Sequence, residues 1–169
     1  METSVKLYNL PFRAVETYLW ATAFTVCNIA LPQLFHLIPQ GGIIFAPLSF
    51  VILVGAYKLG WRTGLLAALA SPLVNHLLFG QPAGDVLPVM ALKLSLLALL
   101  AGFAAQRFGK VSLSVVLSIV LLTQFLGGLG EWLLTGGIAQ TIADFSIGWP
   151  GLLLQIVGTC LVLHYVFRR

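Results

Sequence analysis

The chain has 169 residues, of which 59% are hydrophobic and only 8% charged, where soluble domains carry about a quarter charged residues. Nine basic and five acidic side chains are too few to cover a soluble protein of this length, so the composition excludes an ordinary soluble domain and points to a bilayer as solvent. The net charge of +4 is spread over the chain ends and short loops, which reads as membrane topology and argues against a nucleic-acid partner.

Taken in chain order, the first thirteen residues include Glu2, Lys6, Asn9 and Pro11 and lack the apolar core of a signal peptide. A spanning helix needs roughly 20 apolar residues, and six segments approach that requirement: 17–38, 43–57, 63–79, 87–105, 111–134 and 147–167. Pro47 falls in the opening turn of the second, where a proline is tolerated, and Pro72 lies inside the third. None of the segments alternates apolar and polar residues as a membrane barrel strand would. Turn-forming residues separate them: Pro39-Gln40-Gly41-Gly42, Lys58-Leu59-Gly60-Trp61-Arg62, Gly80-Gln81-Pro82-Ala83-Gly84-Asp85, and Gln106-Arg107-Phe108-Gly109-Lys110. The stretch 136–146 is the longest connection. The expected fold is an all-α, six-helix bundle in a single transmembrane domain, with no internal repeat.

Charge placement gives an orientation. With the N-terminus in the cytoplasm, that side holds Lys6, Arg13, Lys58, Arg62, Arg107, Lys110, Arg168 and Arg169, every basic residue except Lys93. The opposite side carries Asp85 and Asp144. Lysine and arginine are retained on the cytoplasmic side, so the asymmetry predicts six spans with both termini cytoplasmic. Small residues such as Gly64, Ala67, Ala68, Ser71, Ala98, Ala101 and Gly102 favour close helix packing. Cys27 and Cys160 lie in apolar runs and read as buried packing residues.

Polar groups at membrane depth are expensive and generally face the bundle interior or a cavity. Lys93 lies about 9 Å below the outer end of the fourth span. It either snorkels or pairs with Glu131, or it offers a positive anchor to a carboxylate or phosphate. Glu131 and Trp132 follow Gly127-Gly128-Leu129-Gly130, a cluster expected to loosen the fifth helix. Trp132 and Trp149 are either interfacial belt residues or walls of an outward pocket. His36, Gln40, Asn75 and His76 sit near outer helix ends, and Gln124 and Gln155 lie deeper. Most of these groups occupy the outer half, while the inner halves are apolar, which predicts an outward-facing substrate pocket and argues against a channel. No GxSxG, HExxH, CxxC or P-loop pattern occurs, so an enzyme is not expected and neither is a cofactor. His36 and His76 carry little spacing information as ligands to a metal-containing substrate.

The stretch 36–102 resembles the S-components of energy-coupling factor (ECF) transporters. The resemblance rests on Phe35-His36-Leu37-Ile38-Pro39-Gln40-Gly41-Gly42, Phe45-Ala46-Pro47, Gly55, Gly60, Gly64, Ser71-Pro72-Leu73, Phe79-Gly80-Gln81-Pro82, Pro88-Val89-Met90-Ala91-Leu92-Lys93 and Leu100-Ala101-Gly102. It implies a multi-pass protein of a bacterial cytoplasmic (inner) membrane. Such a protein captures a vitamin or related micronutrient in an outward pocket and releases it inward with a transmembrane T-subunit and two ATPases. It also implies a small-xxx-small docking face on the first helix, for which Ala21-xxx-Thr25 and Ala23-xxx-Cys27 are the nearest equivalents. Lys93 departs from the acid that many relatives carry near that place, which favours an anionic ligand if the site is shared. Two other readings stay open: an assembly subunit with no small ligand, and an autonomous transporter.

Overall fold

A computed structural model describes residues 2–3, 7–35 and 41–166. The chain is almost entirely helical. Helix α1 (Val15–Phe35) is followed by the short α2 (Gly41–Phe45), α3 (Pro47–Leu59), α4 (Trp61–Phe79), α5 (Leu87–Phe108) and α6 (Leu113–Thr135). Then come α7 (Ala139–Ser146), α8 (Trp149–Leu153), a π-helical turn (Leu154–Gly158) and α9 (Thr159–Tyr165). Two-residue strands, β1 (Glu2–Thr3) and β2 (Val111–Ser112), pair antiparallel.

Helices α5 and α6 are each long and apolar enough to cross a membrane. Helix α7 and Trp149–Tyr165, bent by 73° at the break between them, make a third when counted together as one broken span. Helices α1 and α4, of 21 and 19 residues, have the length but are less apolar. Large aliphatic side chains stand on the outside, Leu77 at 73% exposure and Leu133 at 77%. An outer surface this greasy is unfavourable in water and suits lipid.

The second segment is shorter than the sequence suggests. It splits at Ala46, whose φ of 42° places an alanine in the left-handed region directly before Pro47. Helix α3 then has 13 residues, roughly 20 Å at 1.5 Å per residue. It is the central element: every residue in 51–60 is buried, and Leu53, Ala56 and Tyr57 are completely covered. Helix α5 is the other half of the core, packing against α3, α4 and α6. The segment 136–146, expected as a loop, contains the eight-residue α7.

Small residues set the distances between these helices. A Cβ on Gly64 would strike Ala56 and approach Ala98, and one on Gly102 would strike the Trp61 backbone. The α3, α4 and α5 backbones therefore meet closer than larger residues allow. Asn28 adds a polar link between α1 and α4, donating to Ser71 Oγ at 3.0 Å, while Asn75 donates to Asn28 O at 2.9 Å.

One end of the bundle gathers basic and aromatic groups. Tyr8 N–H donates to Lys58 O (2.8 Å) and Leu10 N–H to Leu59 O (3.1 Å). Arg62 donates to Asn9 Oδ1 and lies over the rings of Phe12 and Trp61. The Tyr57 hydroxyl donates to Lys110 O at 2.7 Å. The described N-terminal segment, the α3–α4 turn and the α5–β2 turn thus meet at a single end, and Lys58, Arg62 and Lys110 with them. Cys27 is exposed on α1, contrary to the expectation of burial, because it occupies an outward face of an apolar helix. Cys160 is half-buried against the core.

Gly102→Leu is expected to destabilise the bundle by about 1–3 kcal/mol through overpacking against Trp61. Ala46→Gly is expected to stabilise it by about 0.5–1 kcal/mol by relieving left-handed strain. Thermal unfolding of the two variants beside the parent protein checks both.

Candidate functional site

The end of the bundle opposite the basic collar is organised around Lys93. Its alkyl stem runs across α6 at Gly127, where a Cβ would come within 2.7 Å of Lys93 Cγ. Gly128 leaves room for Thr141 in the same way, and a Cβ on Gly130 would strike Leu92. The glycine cluster was expected to loosen α6. Instead α6 runs unbroken from Leu113 to Thr135, and Gly127 and Gly128 form a shallow seat for a lysine and for α7.

The ammonium of Lys93 lies 2.9 Å from Asp144 Oδ2, 3.0 Å from Thr141 Oγ1 and 3.3 Å from Glu131 Oε2. Its side chain is 11% exposed, that of Glu131 3% and that of Asp144 20%. Glu131 caps α7 from a different helix. Its carboxylate accepts the backbone N–H groups of Gln140 (2.6 Å) and Thr141 (2.8 Å) and the Thr141 hydroxyl (2.7 Å). The first N–H groups of a helix lack intrahelical partners and carry partial positive charge, so a carboxylate there is doubly stabilised.

Beneath α7 lies a cavity of about 40 Å³. Its lining comes from four places: Ala46 and Ser49 at the start of α3, Lys93 and Leu97 on α5, and Val120, Thr123 and Gln124 on α6. Asp144, Gly148, Leu152 and Gln155 complete it from the α7-to-π-turn segment. The volume accommodates a few water-sized groups, whereas pockets for drug-sized ligands measure about 300–1,000 Å³. Gln124 Oε1 is buried without a hydrogen-bond partner. Two backbone irregularities border the cavity: left-handed Ala46, and the π-turn that carries the buried Gln155. Such irregularities concentrate at functional sites.

The residues singled out in the sequence distribute unevenly. Lys93, Gln124 and Gln155 line the cavity, and Glu131 lies behind Lys93. Trp132 and Trp149, at 57% and 58% exposure, form no wall of it. Glu131 faces inward, so Trp132, about 100° further around the helix, faces out. Asn75 is buried against α1, and His76 Nδ1 pairs with Pro82 O at 2.7 Å, bracing the α4–α5 loop away from the cavity. His36 and Gln40 lie outside the described residues. On α1, Ala21 is buried and Thr25 donates to Ala21 O, while Ala23 and Cys27 are exposed. Among the described residues, no three His, Cys, Asp or Glu side chains come together to hold a metal.

Sequence reasoning passed over Asp144, Thr141, Ser49 and Thr123 as site residues. A signal existed for the first two. Gln140, Thr141 and Asp144 recur at helical spacing in an otherwise apolar stretch, so a helix there would present them on one face. A lysine at membrane depth also requires a counter-charge. Compared with known protein families, curated proteins and solved structures, the chain matches none.

Lys93→Met removes the sole cation of the cluster and leaves two carboxylates crowded together. It is expected to cost about 3 kcal/mol of stability, the scale for stripping one partner from a buried pair. The double variant Lys93→Met, Glu131→Gln is expected to recover part of that loss. Thermal or denaturant unfolding of both variants measures it; equal stability of Lys93→Met and the parent protein would place the cluster in effectively aqueous surroundings.

Proposed function

We propose that this chain is the substrate-binding membrane subunit of an importer for a vitamin or related micronutrient, an S-component of the energy-coupling factor type. In this reading the chain crosses the membrane six times: α1, α2 with α3, α4, α5, α6, and Trp149–Tyr165. Both termini lie in the cytoplasm of a bacterial cell, beside the basic collar formed by Lys58, Arg62 and Lys110. The single observation that carries the reading is one-sidedness. Lys93, Gln124, Gln155 and Asp144 gather around a cavity at one end. Deeper in the bundle, Leu53, Val116 and Leu163 are packed with no exposure. A binding protein needs a polar pocket on one side, and a pore needs polarity throughout its length.

The reading requires motion. A cavity of about 40 Å³ does not admit a vitamin, so α7 must lift from the α6 rim for a ligand to enter. Three contacts on Glu131 and the Lys93–Asp144 pair hold it down. Partner docking falls to the outer face of α1. Ala21 and Thr25 are occupied within the bundle, which leaves Ala23 and Cys27 as the small, exposed pair.

A second reading, an assembly subunit without a small ligand, draws support from the smallness of the cavity and the internal satisfaction of the charge cluster. Mild-detergent purification followed by mass spectrometry separates the two. The importer reading expects ATPase subunits and a vitamin-sized molecule to co-purify. Recovery of membrane proteins alone, with neither ATPase nor small molecule, would sink it. Ala23→Leu is expected to lower substrate uptake several-fold while ligand recovery stays unchanged. Undiminished uptake in that variant would remove this face of α1 from docking.

A further inference from the structure

The charge balance of the cluster bears on which ligand it takes, given the proposal that the cavity is a substrate site. An ammonium has three N–H donors. Lys93 donates to Asp144 and Thr141 and forms an ion pair with Glu131 at 3.3 Å, so its charge is already engaged within the cluster. One ammonium stands against two carboxylates, and the cluster is one positive charge short of neutral. A low-dielectric site penalises that deficit until a proton or a cation makes it good.

The polar atoms bordering the cavity are of matching kind. Gln124 Oε1 is an acceptor with no donor, on a residue only 9% exposed. Thr123 commits its hydroxyl proton to Ile119 O at 2.8 Å, which leaves acceptor lone pairs. Asp144 reaches the cavity from above. Leu97, Val120 and Leu152 close the remaining sides with apolar surface. The available space fits a charged head group, with the body of the ligand admitted only when α7 moves.

We propose that this site takes a ligand carrying a positively charged nitrogen: a primary ammonium, an amidinium or an N-alkylated heteroaromatic ring. The cation sits between Asp144 and Gln124 Oε1 and completes the charge of the Lys93–Glu131–Asp144 cluster. Lys93 is then a structural cation that orients the two carboxylates, in contrast to the anionic-ligand anchor suggested by its chemistry alone.

A matched probe set tests this on the full chain in lipid nanodiscs: benzylamine, benzyl alcohol and benzoate, which share a ring and differ in charge. At about ten times its dissociation constant, benzylamine is expected to raise the unfolding temperature by about 3 °C. Benzoate is expected to produce no rise. Asp144→Asn and, separately, Gln124→Leu are each expected to weaken the benzylamine effect at least about tenfold in concentration. Two variants on different elements guard against misfolding of either one. Stabilisation by benzoate or benzyl alcohol equal to that by benzylamine overturns the cation assignment while leaving a small-molecule site. No shift with any of the three also overturns it. Neither result touches the co-purification of ATPase subunits, by which the importer reading fails or stands separately.

Discussion

One interaction organises the polar end of this protein: the Lys93 ammonium held between Glu131 and Asp144. A lone charge inside an apolar bundle is costly, and two like charges are worse. Each member is tolerable because the others are present. Glu131 lies at the α7 N-terminus and fixes where α7 begins. Asp144, one turn further on, closes onto Lys93. The orientation of α7, and hence the roof of the cavity, follows from where a charge on α5 finds its partners.

That arrangement depends on the spacing of the helices. Gly64 and Gly102 draw α4 and α5 into near backbone contact, and α3 fills the centre as a short, fully covered helix. With α5 placed this way, Lys93 faces α6 at the position where Gly127 and Gly128 supply no side chains. A larger residue at either glycine would meet the Lys93 stem or Thr141. Small-residue packing, which promotes helix association in lipid, here also shapes a recess for polar groups. The bundle thus carries a basic, aromatic collar at one end and the Lys93 cluster at the other, joined by a largely apolar body.

The same geometry divides the polar residues into distinct roles. Asn28, Ser71 and Asn75 tie α1 to α4 and do not reach the cavity. His76 secures a loop. Lys93, Glu131 and Thr141 form a latch whose members satisfy one another. Among the buried side-chain oxygens without a partner, which include Asn28 Oδ1, Thr63 Oγ1, Ser95 Oγ and Thr159 Oγ1, that of Gln124 belongs to a residue lining the cavity. Polar groups that already have partners hold the fold together.

Composition and hydrophobic runs were sufficient to specify helices, their approximate limits and their affinity for a bilayer, because these depend on residue type averaged over many positions. The glycine and proline breaks likewise marked most helix ends. The pairing of Lys93 with Glu131 was legible as a possibility, since a charge at membrane depth calls for its opposite. Other features were decided only by three-dimensional packing. Segment 136–146 becomes a helix because Glu131 caps it from another element. Trp132 turns outward because its neighbour Glu131 turns inward. Asp144 joins Lys93 although 51 residues separate them. Such pairings depend on interhelical distance and rotation, to which many residues contribute at once, and no local pattern in the chain encodes them.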